Sequence, residues 1–238
     1  MPVPSFQITC TARDVIARDV YEIRFGKPEN FTFKEGQFVL FDVPLVDNPA
    51  DIQTRALSIA STQGEEELLF GLKLKPGGRV SRWVAETLKI GMTVRIQGPF
   101  GVFVLDPASE RERVFVATSA GVAPFRAHIK AALERGDQRK MDLIYGVRSE
   151  EDLFWHRELE ELSKAYPNFF LHLALTIPSP TWKGHVGRVQ TLVPLVIPDF
   201  SQKEVYVCGN PDMTTEVKKL CLEQWRVEKK YLHVEGYI

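Results

Sequence analysis

A six-stranded antiparallel β-barrel or sandwich followed by a five-stranded parallel α/β domain is the fold class this 238-residue sequence predicts, on three observations. Residues 6–103 hold six short runs rich in β-branched and aromatic residues, separated by Gly, Pro and Asn, which is the texture of a small barrel or sandwich. After Asp106-Pro107, continuous apolar runs alternate with helical patterns, implying βαβ units and a mainly parallel sheet covered on both faces. Between the two textures, Pro107 and the solvated run 110–113 read as a linker. Domains are therefore expected at 1–106 and 107–238.

In the first half the expected strands are 6–11, 20–25, 36–43, 55–61, 68–74 and 92–97, with the polar pair Arg13-Asp14 connecting the first two. One helix interrupts them over 80–88, ahead of Gly91. In the second half, strands are expected at 113–118, 141–147, 169–177 and 204–208. Helices are expected at 125–134, 152–164, 189–196 and 211–225, where apolar residues recur at helical spacing. The closing piece 231–238 supplies either a fifth strand or a tail.

Composition removes several function classes. The formal net charge is −1, and residues 1–108 carry 12 basic against 13 acidic side chains, leaving 18 against 18 in the remainder. Neither half has the basic surplus that a phosphate backbone demands, so nucleic acid is not an expected partner. No apolar run reaches the roughly 18 residues of a membrane span. The start, Met1-Pro2-Val3-Pro4-Ser5, lacks the basic and apolar regions of a secretion signal, and a cytoplasmic protein is expected. Cys10, Cys208 and Cys221 are odd in number and scattered, unsuited to a disulfide framework and too few for a four-thiolate cluster, so no resident metal is expected.

Four stretches carry chemistry. Arg55-Ala56-Leu57-Ser58 sets a permanent, fork-shaped cation and a hydroxyl on a short strand, a pairing suited to an anionic ligand or, equally, to a surface ion pair. Lys75-Pro76-Gly77-Gly78-Arg79-Val80-Ser81 leads into a helix, where converging N–H groups and the helix dipole favour an anion; alone, it also reads as an ordinary turn. Thr118-Ser119-Ala120-Gly121-Val122-Ala123-Pro124 follows a buried-type strand and opens a helix, the place where parallel sheets bind dinucleotides. Cys208-Gly209-Asn210-Pro211-Asp212-Met213 repeats that arrangement at the end of another strand.

These four stretches, in this order and at these separations, resemble the ferredoxin–NADP⁺ reductase family of flavoproteins across essentially the whole chain. The resemblance implies an FAD-binding barrel, an NAD(P)-binding domain, and a flavin ring where the two meet. It implies that Arg55 contacts the FAD phosphates, that Ala56 and Leu57 line the flavin, and that Ser58 hydrogen-bonds near flavin N5. Backbone at Leu72, Lys73, Leu74 and Lys75 would line the ring and ribityl chain, and Gly77, Gly78, Arg79, Val80 and Ser81 would receive the pyrophosphate. Thr118, Ser119, Gly121, Val122, Ala123 and Pro124 would lie under the nicotinamide dinucleotide, with Gly209, Pro211 and Met213 beside it. Cys208 would face the hydride-bearing carbon. Glu235 becomes a candidate proton relay and Tyr237 a candidate flavin-stacking ring.

The family's usual stacking tyrosine is here Leu57, which still buries a ring face but forgoes about 0.5–1.5 kcal/mol of aromatic pairing. FAD is the expected cofactor, tightly bound, with NADH or NADPH as substrate. Arg148 and Ser149 would read a 2′-phosphate, while Glu150, Glu151 and Asp152, which follow at once, tilt the reading towards NADH; Lys183 and Arg188 are further basic candidates. The expected activity is an NAD(P)H-dependent reductase for a ferredoxin, a flavodoxin or another iron–sulfur partner. A reductase releasing free flavin and an electron-transfer subunit of a larger complex are the alternatives.

Overall fold

Strand β1 (Ser5–Ala17) opens the computed structural model, which describes residues 3–237, and is long enough to serve two neighbours. Its first half pairs with β6 (Thr93–Phe100) and its second half with β2 (Val20–Gly26). Arg13-Asp14 is thus not the connector the sequence suggests. Both residues lie inside β1, opposite Ile23 and Glu22, and the turn falls later, where Asp19 adopts a φ of 55°. The polarity at Arg13 has a local reason. Its guanidinium lies over the Tyr21 ring and donates to the carbonyls of Val84 at 2.8 Å and Ala85 at 3.0 Å. Those carbonyls belong to a helix end, where acceptors otherwise lack partners.

With β3 (Phe38–Leu45), β4 (Asn48–Ser58) and β5 (Glu67–Lys73), this unit, Met1–Leu105, forms a sheet in the order β4-β3-β6-β1-β2-β5, every pair antiparallel. The two ends of the order, β4 and β5, approach one another, curling the sheet towards a barrel. Inward positions fill its core with Ile8, Ile23, Phe25, Phe41, Phe70 and Ile96, and the Phe41 and Phe70 rings meet edge to face at 5.0 Å. The expected helix over 80–88 is α1 (Arg79–Arg82), continuing as one wider turn over Trp83–Thr87 in which the Leu88 N–H bonds Trp83 at 2.8 Å. That turn brings Trp83 and Val84 fully into the core.

The second unit, Asp106–Ile238, contains β7 (Glu112–Thr118), β8 (Met141–Val147), β9 (Phe169–Leu175), β10 (His185–Val186), β11 (Lys203–Gly209) and β12 (Leu232–Gly236). They form one parallel sheet in the order β10-β9-β8-β7-β11-β12. The sheet therefore has six strands rather than the expected five. The extra strand, β10, is two residues long, too short to leave a periodic pattern, and exists because His185 and Val186 pair with Ala174 and Leu175. The closing piece is strand β12 and not a tail.

Four helices connect these strands: α2 (Val122–Glu134), α3 (His156–Ala165), α4 (Val189–Val196) and α5 (Pro211–Glu223). From β7 the chain first builds outward through β8 and β9, then crosses to β11 on the other side. The switch lies between β7 and β11, which is where open parallel sheets leave a crevice for ligands. Among the described residues, no helix is long and apolar enough to cross a membrane.

At the opposite end of this sheet, Arg113 is 2% exposed and donates to Asp137 at 2.8 Å, while Arg139 binds the same carboxylate at 2.6 Å. Burial alone would raise the Asp137 pKa. Hydrogen bonds from the Arg139 side chain and backbone, together with the Arg113 and Arg139 charges, outweigh burial and hold it at about 2. A depressed carboxylate stabilises the fold fully above its unfolded value near 3.9, and that contribution fades as pH falls towards 2. Asp137→Asn is expected to lose about 2 kcal/mol at neutral pH and to show less additional loss than wild type between pH 4 and 2. Urea unfolding at both pH values checks this; parallel stability curves would contradict the assignment.

Candidate functional site

The crevice at the switch point is built by two glycines. A Cβ on Gly121, in the turn after β7, would lie 2.2 Å from the Cys208 carbonyl oxygen and 2.6 Å from the Gly209 Cα. A Cβ on Gly209, whose φ is +142°, would lie 2.3 Å from the Thr118 hydroxyl. The exits of β7 and β11 thus nest backbone against backbone, and the Asn210 N–H donates to Thr118 Oγ1 at 3.1 Å. Asn210 in turn caps α5, accepting the Asp212 N–H at 2.8 Å, with Pro211 in the first helical turn where an N–H is dispensable.

Beside this junction is a cavity of about 360 Å³. Thr118, Ser119 and Met213, all expected from the sequence, line it. Gly146 and Val147 at the end of β8, Thr176 after β9, and Arg188 and Gln190 at the start of α4 complete most of the remainder. Gly146 lets the start of α4 approach closely there, since a Cβ would meet the Val189 side chain at 2.4 Å. Asp212 and Glu216 of α5 also line it. Its dimensions and position, among strand ends and the starts of two helices, suit a dinucleotide.

Several expected nucleotide residues lie elsewhere. Val122, Ala123 and Pro124 are buried in α2, so their side chains serve packing, and Gly121 is a close contact between chain segments. Gly209 and Pro211 shape the junction without lining the cavity. Arg148 is exposed and engages Ile177 through its carbonyl at 2.7 Å. The Ser149 hydroxyl bonds Asp152 at 3.0 Å in a reciprocal capping arrangement before a short turn, so it is committed locally. Glu150 accepts the Ser179 N–H at 3.0 Å and its hydroxyl at 2.6 Å. Two of the acids that tilt the sequence towards NADH, Glu150 and Asp152, are therefore tying loops together. Among the cavity groups not marked from the sequence, Thr176 and Gln190 stand out, and their only local signal is a place just past a strand or just inside a helix.

Cys208, next to last in β11, lies directly opposite Ala117 on one side and Glu235 on the other. Its thiol is fully buried. Burial pushes its pKa up, the Glu235 carboxylate pushes it further, and a hydrogen bond with the Tyr237 side chain opposes them. The thiol is neutral at physiological pH, which makes it a shape-defining and polarisable group, not a nucleophile. The Tyr237 N–H donates to the Gly209 carbonyl at 2.9 Å, so the chain end is held against this same corner. Cys208, Glu235 and Tyr237, separated in sequence, converge here.

In the first unit, Arg55 is half-buried on β4, and among the described residues its guanidinium reaches only neutral groups, the Thr54 carbonyl at 2.8 Å and Gln53 Oε1 at 2.7 Å. Its neighbours differ: Arg79 binds Asp51 at 2.9 Å, and Arg82 binds Asp47 and Glu86. Among the described residues Arg55 meets no acidic group, whereas the Arg79 charge is offset by Asp51. Gly78 precedes α1 without any side-chain cap, and the Ser81 hydroxyl accepts the Lys75 N–H at 2.8 Å, shaping the turn. Leu57, Leu74 and Val80 pack against the barrel core, and Leu72 is part of it. Lys73 reaches back to Asp19 and to the Arg18 carbonyl. Gly77 has a φ of +70° with open space around it. Ser58 is buried at the end of β4, opposite Phe38, and Ala56 is exposed. A lone arginine, an uncapped helix start and open glycine backbone fit a diphosphate-bearing cofactor such as FAD.

Comparison with known proteins agrees with both units. An oxidoreductase FAD-binding domain model matches residues 7–105, and an oxidoreductase NAD-binding domain model matches residues 115–219. Ferredoxin–NADP reductase B of Sorangium cellulosum (strain So ce56) is 32% identical over 227 residues, covering 92% of this chain and 91% of that protein. The ferredoxin–NAD(P)⁺ reductase component of naphthalene 1,2-dioxygenase/salicylate 5-hydroxylase systems from Ralstonia sp is 27% identical over 230 residues, covering 96% of this chain and 68% of that one. The fold is shared with the crystal structure of a ferredoxin–NADP⁺ reductase from Neisseria gonorrhoeae, with a TM-score of 0.84, 19% identity and 98% coverage of each chain.

Proposed function

The chain belongs to the ferredoxin–NADP⁺ reductase family, and we propose that it takes hydride from NADH or NADPH onto FAD and passes electrons singly to a ferredoxin-type protein. Bound flavin supplies the conversion between a hydride and single electrons; the protein supplies placement and electrostatics. The observation that carries this reading is the convergence of Cys208, Glu235 and Tyr237 beside a dinucleotide-sized cavity at the sheet's switch point.

Each group has a separable task. Arg55, with the backbone of Gly77 to Val80, holds the cofactor's phosphates, and Ser58 offers a hydrogen bond to its ring. Thr118, Ser119 and Asn210 hold the dinucleotide. Cys208 offers a neutral, buried wall beside the nicotinamide, and Glu235 places a carboxylate at the edge of that corner as a proton relay. The partner is a small iron–sulfur protein of the ferredoxin type, and a cytoplasmic setting agrees with that partner.

The absorption spectrum of the purified protein tests the assignment. Stoichiometric FAD, bleached by anaerobic NADH or NADPH and reoxidised by a plant-type ferredoxin, is the expected result. Colourless protein that reduces added flavin would instead establish a flavin reductase. Cys208→Ala is expected to slow bleaching roughly 10–100-fold with flavin content unchanged, measured by stopped flow; equal loss of flavin and rate would contradict the role given to Cys208.

A further inference from the structure

We propose that Glu216 sets the choice between the two nicotinamide dinucleotides, favouring the one whose adenosine ribose carries a free 2′-hydroxyl. The inference rests on reading the cavity of the second unit as the dinucleotide site. One end of that cavity is Thr118 and Asn210, next to Cys208; towards the end of β9 it is lined by Thr176 and by Arg188 and Gln190 of the α4 start. With the nicotinamide at the Cys208 end, the adenosine half falls to the other.

There, Gln190 Nε2 donates to Glu216 Oε2 at 2.7 Å, tying α4 to α5. Glu216 is exposed, yet this tie holds its carboxylate on the cavity lining and restrains it from swinging into solvent. A carboxylate accepts a hydrogen bond from a ribose hydroxyl and repels a phosphate dianion. Among the ionisable lining groups, Asp212 and Glu216 set two negative charges against the single positive charge of Arg188. None of the acids following β8, which the sequence marks for this task, lines the cavity, and two of them are bonded elsewhere: Glu150 to Ser179 and Asp152 to Ser149. The acid that reads the ribose is therefore on α5.

Isothermal titration of the flavin-loaded protein with ADP-ribose and with 2′-phospho-ADP-ribose isolates the adenosine end from hydride chemistry. Wild type is expected to bind ADP-ribose about tenfold more tightly. Glu216→Gln, which keeps a hydrogen-bonding side chain beside Gln190, is expected to bring the two constants within about twofold, and Glu216→Lys to reverse their order. A merely structural role for the Gln190–Glu216 tie would leave the ratio unmoved. An unchanged ratio in Glu216→Gln, or a wild-type preference for the 2′-phosphorylated probe, overturns the proposal. Binding of neither probe to any variant is a different result, and it overturns the dinucleotide reading of the cavity itself.

Discussion

Gly121→Ala is expected to leave a yellow protein that neither NADH nor NADPH can bleach. The glycine is not there for backbone freedom, since its φ of −62° is open to any residue. It is there because the Cys208 carbonyl oxygen and carbon lie 2.2 Å and 2.5 Å from where a Cβ would stand, with the Gly209 Cα at 2.6 Å. All three atoms are backbone, and they belong to a strand hydrogen-bonded on both sides, so none can step away as a flexible side chain would. Overpacking of this kind costs on the order of 3 kcal/mol, which lowers the melting temperature of a unit this size by about 10 °C. The strain enters at the junction that seats Thr118, Cys208 and Asn210, so the dinucleotide site is lost first. Arg55 and the Gly77–Gly78 turn belong to the other unit, and flavin content should survive. Wild-type melting and bleaching in Gly121→Ala would show that the two strand exits do not nest as described.

The second large effect is expected at Arg55. Replacing it with Ala removes a charge that has no acidic partner among the described residues and that touches only the Thr54 carbonyl and Gln53. A charge-assisted contact to phosphate is worth about 1.5–3 kcal/mol, so FAD should bind roughly 10–100-fold more weakly and wash out on dialysis. Stability of the flavin-free protein should hardly change, because no ion pair is broken. Arg79→Ala provides the contrast: its guanidinium already binds Asp51 at 2.9 Å, so its loss should weaken flavin far less. Equal flavin retention by wild type and Arg55→Ala in equilibrium dialysis would remove Arg55 from the cofactor site, and a larger loss in Arg79→Ala would transfer the role to that residue.

Much of this architecture is legible in local patterns, and the exceptions are physical. The short runs 20–25 and 36–43, rich in β-branched and aromatic residues, announce strands, and the continuous run Val114 to Ala117 announces a central parallel strand. Where the pattern misleads, a distant segment has altered what a residue means. Arg13 looks like a turn residue because it is charged, yet it sits within a strand because carbonyls more than seventy positions away need its donors. Ser149 and Glu150 look like ribose readers until Asp152 and Ser179 claim them.

The order of an antiparallel barrel and a parallel nucleotide-type domain was determined by the sequence alone, along with the presence of an arginine–serine strand and of glycines just past strand ends. Such features follow from the spacing of apolar and turn residues over a few positions, which dictates the face each element buries. Tertiary structure alone decided that Gly121 meets Cys208, that the Cys208 thiol is sealed beside Glu235 and Tyr237, that a sixth strand joins the sheet, and that Arg79 is paired with an acid while Arg55, among the described residues, is not. Those outcomes depend on contacts such as Asn210 with Thr118, 92 positions apart, and steric fit or charge compensation between such segments leaves no periodic trace in either one.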